Sequence, residues 1–276
     1  MEEQIILVYC LCDDLLKALQ HKEDPQCRMS DAAPRGHPMT TGLVAALFFG
    51  GKQILACAML KEQKYIPDMV SKSQFSRRLQ RLDYLFVTLF RVLGEAFKEL
   101  NAESVYIIDS LPIAVCDNIR IKRNHIYGDE DYRGYQASKR RYFYGVKVHL
   151  LVTKDHQPVE FFLSPGELSD TEALTQFDFD LPPGSQVFGD KAYTYYLVED
   201  LLMEAEIHLA PDRKKNSKRP MPPWLRFFLR QHRNQVETAG SLIARLLPRS
   251  IHAVTAKGFE LKVILFVLAS SINCLL

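Results

Sequence analysis

None of the six cysteines (Cys10, Cys12, Cys27, Cys57, Cys116 and Cys274) pairs with another in CxxC spacing or has histidine companions at zinc-ligand intervals. That excludes a zinc-finger reading. Their scatter, without an export signal, points to reduced thiols in a cytoplasmic protein rather than a disulfide scaffold. The Cys10-x-Cys12 pair in "ILVYCLCDDLL" reads as two helix residues. An excess of one charge is also missing: 35 Lys and Arg stand against 33 Asp and Glu, a net of +2. Total charge therefore names no partner, and only a local concentration could. Membrane-length apolar runs are absent too. The run "VILFVLASSINCLL" is short and lies beside Lys262, and the start "MEEQ" is acidic where a signal peptide needs a basic end. The expectation is a protein with no membrane segment. There is one tryptophan, Trp224, between Pro223 and a basic helical stretch. It reads as a core anchor ahead of a stacking surface for a splayed base.

What is present is ample apolar material. At 276 residues and 47% hydrophobic, the chain can bury one large core or two smaller ones. Residues 1 to about 100 place apolar side chains at three- and four-residue intervals, in "QIILVYCLCDDLLKALQ", "TTGLVAALFFG", "QILACAMLKEQ" and "SQFSRRLQRLDYLFVTLFRVLGEAFKEL". This predicts a small all-helical N-terminal domain. After Asn101 come short runs rich in Val, Ile, Tyr and Phe: "SVYIID", "RYFYGVKVHLLVT", "PVEFFLS", "SQVFGD" and "AEIHLAP". Helical stretches separate the later runs, and two long helical patterns close the chain. Three strands followed by helix–strand alternation predict an α/β domain with a mixed sheet over residues 101–276.

Three carboxylates are hard to explain as ordinary surface residues in this scheme. Asp109 ends the first apolar run, Asp190 ends "QVFGD" behind Gly189, and Glu237 lies in the helix "QHRNQVETAGSLIARLL". Singly, each reads as well as a cap, a turn residue or a solvated acid. As an ordered set they could converge at strand ends, where open α/β sheets present their ligand sites. Two such charges about 4 Å apart repel by on the order of 4 kcal/mol at an effective dielectric near 20. A cation must offset that, and an all-carboxylate set selects Mg²⁺ or Mn²⁺. Two ions in such a site support in-line phosphoryl transfer. Ser110 and Pro112 then read as the turn that carries the chain away.

The strand end "IIDS", the hairpin "YFYGVKVHLLV", the strand end "GDKAY" and the Arg233-x-x-x-Glu237 pattern in "RNQVET" resemble the DDE transposases of bacterial insertion sequences. "YIIDSLPIAVCDNIRI" and "SKSQFSRRLQRL" are similar to the insertion sequence 982 branch. The resemblance implies an RNase H-like catalytic fold with Asp109, Asp190 and Glu237 as catalytic and metal-binding triad, holding two Mg²⁺ or Mn²⁺ ions. It also implies DNA cleavage at element ends, strand transfer into target DNA, and action as at least a dimer. A stand-alone RNase H-like nuclease, or an inactive DNA-binding relative, are the other readings. Seven positions after Glu237 stands Ala244, where related families often carry a basic residue.

Local charge agrees with a DNA partner. Residues 211–233 hold eight Lys or Arg against one acid, and residues 120–147 hold eight against three. Lys139, Arg140, Arg141, Lys147, Lys214, Lys215, Lys218, Arg219 and Arg233 are the candidate phosphate contacts there. Lys147 and His149 share one strand face, His149 as a hydrogen-bonded sheet residue. In the N-terminal half, Arg77, Arg78 and Arg81 alternate with Phe75, Leu79 and Leu82, as in a recognition helix or any amphipathic helix.

Overall fold

The computed structural model describes residues 1–20, 36–117, 124–136, 140–214, 216–227, 241–248 and 250–275. They form two compact units. One comprises Met1–Phe90, Arg245–Ala253 and Lys257–Leu276; the other comprises Arg91–Ala244 and Val254–Ala256.

The first unit is helical, as its three- and four-residue periodicity requires. It contains α1 (Glu2–Gln20), α2 (Gly36–Phe48), α3 (Gln53–Glu62), α4 (Lys72–Gln80) and the start of α5 (Asp83–Leu100). Ile5, Val44, Ala45, Ala56, Leu60 and Ile66 form one buried cluster within it. The C-terminal helix α8 (Ala256–Asn273) belongs mostly to this unit, although it is about 170 residues away in sequence. Phe259, Leu261, Val263 and the whole run Leu265–Ile272 are buried. A helix that is apolar all round must be a core helix, which accounts for "VILFVLASSIN". No single helix among the described residues is long and apolar enough to cross a membrane. Helix α4 begins at a capping box: Gln74 N–H donates to Ser71 Oγ, while Ser71 N–H donates to Gln74 Oε1 at 3.2 Å. It buries Phe75 and Leu79 and turns Arg77 and Arg81 outward.

The second unit is built on a six-stranded sheet: β1 (Val105–Asp117), β2 (Arg133–Gln136), β3 (Arg141–Thr153), β4 (Pro158–Pro165), β5 (Gln186–Gly189) and β6 (His208–Pro211). Its path is β2-β3-β1-β5-β6, with β4 also on β3. β1, β2 and β4 run antiparallel to β3, whereas β1, β5 and β6 are mutually parallel. The mixed sheet is therefore present. Helices α6 (Asp170–Ala173) and α7 (Tyr196–Glu204) carry the two parallel crossovers. Strand β3 is buried along nearly its whole length, as a central strand covered on both faces should be.

Two expectations need correction here. The first strand does not end at Asp109, and Ser110 and Pro112 do not form a turn. β1 continues to Asp117 because β3 pairs with it throughout, with Asp109 opposite Leu150 and Pro112 opposite Lys147. β5 stops at Gly189, so the distal part of β1 is an edge on that side, where proline is tolerated. The second correction concerns β2, a short strand the sequence reading did not separate from its surroundings.

Candidate active site

The parallel pairing of β1 with β5 sets Ile107 against Phe188. Continuing that register by two residues brings Asp109 level with Asp190, on strands spaced about 4.8 Å apart. Gly189 permits the approach: a Cβ there would lie 2.6 Å from Ile108 Cγ2 and 3.2 Å from Tyr193 Cδ2. Asp109 is half-buried, and its Oδ1 accepts the Ser110 N–H at 2.8 Å. Asp190 is exposed and caps the 3-10 turn Lys191–Tyr193, its Oδ1 accepting the Ala192 N–H at 2.7 Å.

Beneath this pair lies Tyr193, only 1% exposed. Among the described residues its hydroxyl has no hydrogen bond of good geometry, and the nearby Ser110 hydroxyl eases its ionisation only slightly. Burial first, then the charges of Asp170, Asp109 and Asp190, push the phenol well above its usual range, so it stays protonated. One side chain thus senses three carboxylates.

Asp170 is the one the sequence reading missed. It opens α6, and its Oδ1 is 3.7 Å from Lys147 Nζ and, among the described residues, accepts no hydrogen bond. Lys147 in turn donates to the Leu168 carbonyl at 2.6 Å. The Thr171 hydroxyl donates to Ala192 O at 2.7 Å, tying α6 to the turn that follows Asp190. Ser169 and Glu172 form a capping box at the start of α6, which gives no sign of the approach to Lys147. A cleft of about 520 Å³ opens beside this turn, with Lys147, Asp170, Lys191, Thr194 and Lys214 in its wall.

His149 is fully buried, stacks on Phe162 at 4.7 Å and shares a hydrogen bond with Ser164 through Nε2 at 2.9 Å. Burial lowers its pKa to about 4; Asp170 opposes the shift and Lys147 adds to it. The unfolded chain therefore takes up a proton near pH 6.5 that the folded chain refuses until far lower pH. Stability is complete above pH 6.5 and is lost as pH falls toward 4. Urea unfolding should lose about 2 kcal/mol between about pH 7.5 and about pH 5. H149Q should flatten that dependence; an unchanged slope would show that another group governs it.

The remaining candidates fall into several places. Arg77, Arg78 and Arg81 lie in the helical unit. Arg140 and Arg141 are exposed at the start of β3, and Lys214 and Lys218 are exposed after β6. Arg219 is engaged bidentately by Asp200 at 2.6 and 2.9 Å. Arg213, which was not singled out, holds the buried Glu199 bidentately at 2.7 and 2.6 Å. Trp224 is 70% exposed, so it is not the core anchor expected of it. Glu237, Arg233, Lys139 and Lys215 lie outside the described residues. Among the described residues no three His, Cys, Asp or Glu side chains converge closely enough to hold a metal ion by themselves. Asp109 and Asp190 still fit such an ion as a pair of oxygen donors with no thiol or imidazole between them, a donor type that suits Mg²⁺ or Mn²⁺.

No curated protein sequence matches the chain. A solved structure does: a piggyBac transposase synaptic complex with hairpin DNA superimposes with a TM-score of 0.53 at 9% identity, covering 98% of this chain and 74% of that one. The likeness is one of fold. The family model described as a transposase DDE domain matches residues 100–247, more than half of the chain and all of its sheet. The chain therefore belongs to the DDE transposases, enzymes that cut and join DNA.

Proposed function

We propose that this chain is an insertion-sequence transposase of the 982 branch, with an RNase H-like catalytic domain over residues 101–276 and a DNA-binding helical domain over residues 1–100. What supports the reading is the β1–β5 register, Ile107 against Phe188, which continued by two residues would bring Asp109 level with Asp190. Asp109, Asp190 and Glu237 would hold two Mg²⁺ or Mn²⁺ ions, which when bound would activate a water or 3′ hydroxyl and offset charge on the scissile phosphate.

The chain's own groups supply the rest. The buried strands Val105–Ile108 and Val187–Gly189 fix the two aspartates on a rigid floor. Ser110 N–H and Ala192 N–H hold one oxygen of each carboxylate, limiting their rotation. Lys191, Lys214 and Lys147 border the neighbouring cleft and offer positive charge to the DNA backbone. Arg77, Arg78 and Arg81 on α4 offer a second basic face, suited to element-end DNA. The partners on this reading are element-end and target DNA, and two ends brought together require at least a dimer.

The test is incubation of the purified chain with labelled element-end DNA and Mg²⁺ or Mn²⁺, beside a chelator control. Cleavage accompanied by joined product supports the proposal. Cleavage without joining would instead identify a stand-alone nuclease. Salt-sensitive binding with no metal-dependent cleavage would identify an inactive relative.

A further inference from the structure

The edge strand β2 and the start of β3 carry aromatic surface that the catalytic reading does not use. Tyr135 and Tyr142 face each other directly across the strand pair. They are 51% and 48% exposed, with ring centroids 4.9 Å apart and planes tilted by 53°. Arg133 lies over the Tyr142 ring, its Cζ 4.5 Å from the centroid, while one of its nitrogens pairs with Glu130 at 3.3 Å. Arg133, Tyr142 and Tyr135 therefore form a short ladder of flat groups, steadied from below by Glu130. Arg140 and Arg141 are exposed next to it. The run "RGYQASKRRYFY", residues 133–144, contains four basic residues and no acid.

Leaving two tyrosines half in water at a sheet edge forgoes apolar burial, and like-charged arginines beside them disfavour a basic protein partner. Flat rings interleaved with guanidinium groups suit a different occupant, one that is both planar and polyanionic. A duplex presents its phosphates outward and keeps its base faces stacked. An unpaired strand offers phosphates and free base faces together. We propose that the β2–β3 edge is a stacking platform for unpaired bases of the DNA substrate, with Tyr135 and Tyr142 taking the bases and Arg140 and Arg141 taking the adjoining phosphates. The proposal rests on the transposase reading only in taking DNA as the partner.

Phosphate contacts and stacking contacts respond differently to salt, and this separates the two roles. Each neutralised phosphate steepens the fall of affinity with salt, whereas stacking leaves the slope unchanged. The full chain is titrated in EDTA, by fluorescence anisotropy at several salt concentrations, against a fluorescein-labelled short single-stranded oligodeoxynucleotide and the same sequence as a duplex. Y135A/Y142A should weaken single-strand binding about tenfold or more, with the salt slope and duplex affinity nearly unchanged. Y135L/Y142L, which keeps apolar bulk on the strands, should lose the same affinity. R140A/R141A should flatten the slope for both ligands. Single-strand affinity of the tyrosine variants equal to wild type would overturn the proposal. An equal loss for single strand and duplex would overturn it too, as would a dimer-to-monomer change with DNA affinity intact, which would make the edge a contact between copies. Binding is read in EDTA and cleavage only with Mg²⁺ or Mn²⁺, so failure of the platform and failure of the catalytic assignment are read in separate assays.

Discussion

On the proposed reading, D109N should lower metal-dependent DNA cleavage by about a thousandfold or more while leaving the protein folded, and D190N should do the same. The size follows from the role proposed for these carboxylates. A divalent ion contributes several kcal/mol to a phosphoryl-transfer transition state, and about 4 kcal/mol is a factor of 10³ in rate. Asparagine keeps the shape and retains an oxygen for the Ser110 N–H now donated to Asp109 at 2.8 Å, so β1 should not move there. Single-turnover cleavage reads the catalytic loss, and thermal melting in EDTA checks that the variant stays folded. A variant that cleaves at the wild-type rate would remove Asp109 from the site.

The two aspartates were legible in the sequence because each ends an apolar run, one of them directly after a glycine. Such a run predicts a buried strand, and a buried strand with an acid at its end has few structural reasons to carry one. The onward course of β1 was not legible. Pro112 reads locally as a breaker, and its tolerance depends on β5 stopping at Gly189, a property of sheet order rather than of neighbouring residues. Asp170 was hidden for another reason. Ser169 and Glu172 account fully for "SDTE" as a helix start, so nothing local signalled that its second residue would approach Lys147 and the Tyr193 phenol. The grouping of α8 with the N-terminal helices is likewise a long-range fact: its composition announces a core helix but not whose core. The Tyr135–Tyr142 pair depends on the β2–β3 register, which no periodicity over a four-residue strand could set.

G145A should cost the fold about 3–5 kcal/mol, the largest stability effect expected of a single methyl group in this chain. A Cβ on residue 145 would lie 2.1 Å from the Ile113 carbonyl oxygen and 3.0 Å from Ala114 Cα and Val115 N. All three are backbone atoms, so no side chain can swing away; the strands themselves must part. The site is also where the β1–β3 register shifts, with Ala114 opposite Gly145 and Cys116 opposite Tyr144. The extra residue bends β1 toward its partner, and Gly145 O there accepts the Gly166 N–H at 3.0 Å. Separation at this point would loosen β1, β3 and the end of β4 together. Alanine also restricts the unfolded chain, a gain of about 0.4–1 kcal/mol that is too small to offset the clash. G128A is the matched control, since nothing lies within 4 Å of the Cβ it would add, and it should stay within about 0.5 kcal/mol of wild type. Urea midpoints for the two variants decide the matter. Equal midpoints would mean that the β1–β3 crossing is looser than its backbone distances require, and a floor that yields there could not hold Asp109 rigid four residues upstream of Ile113.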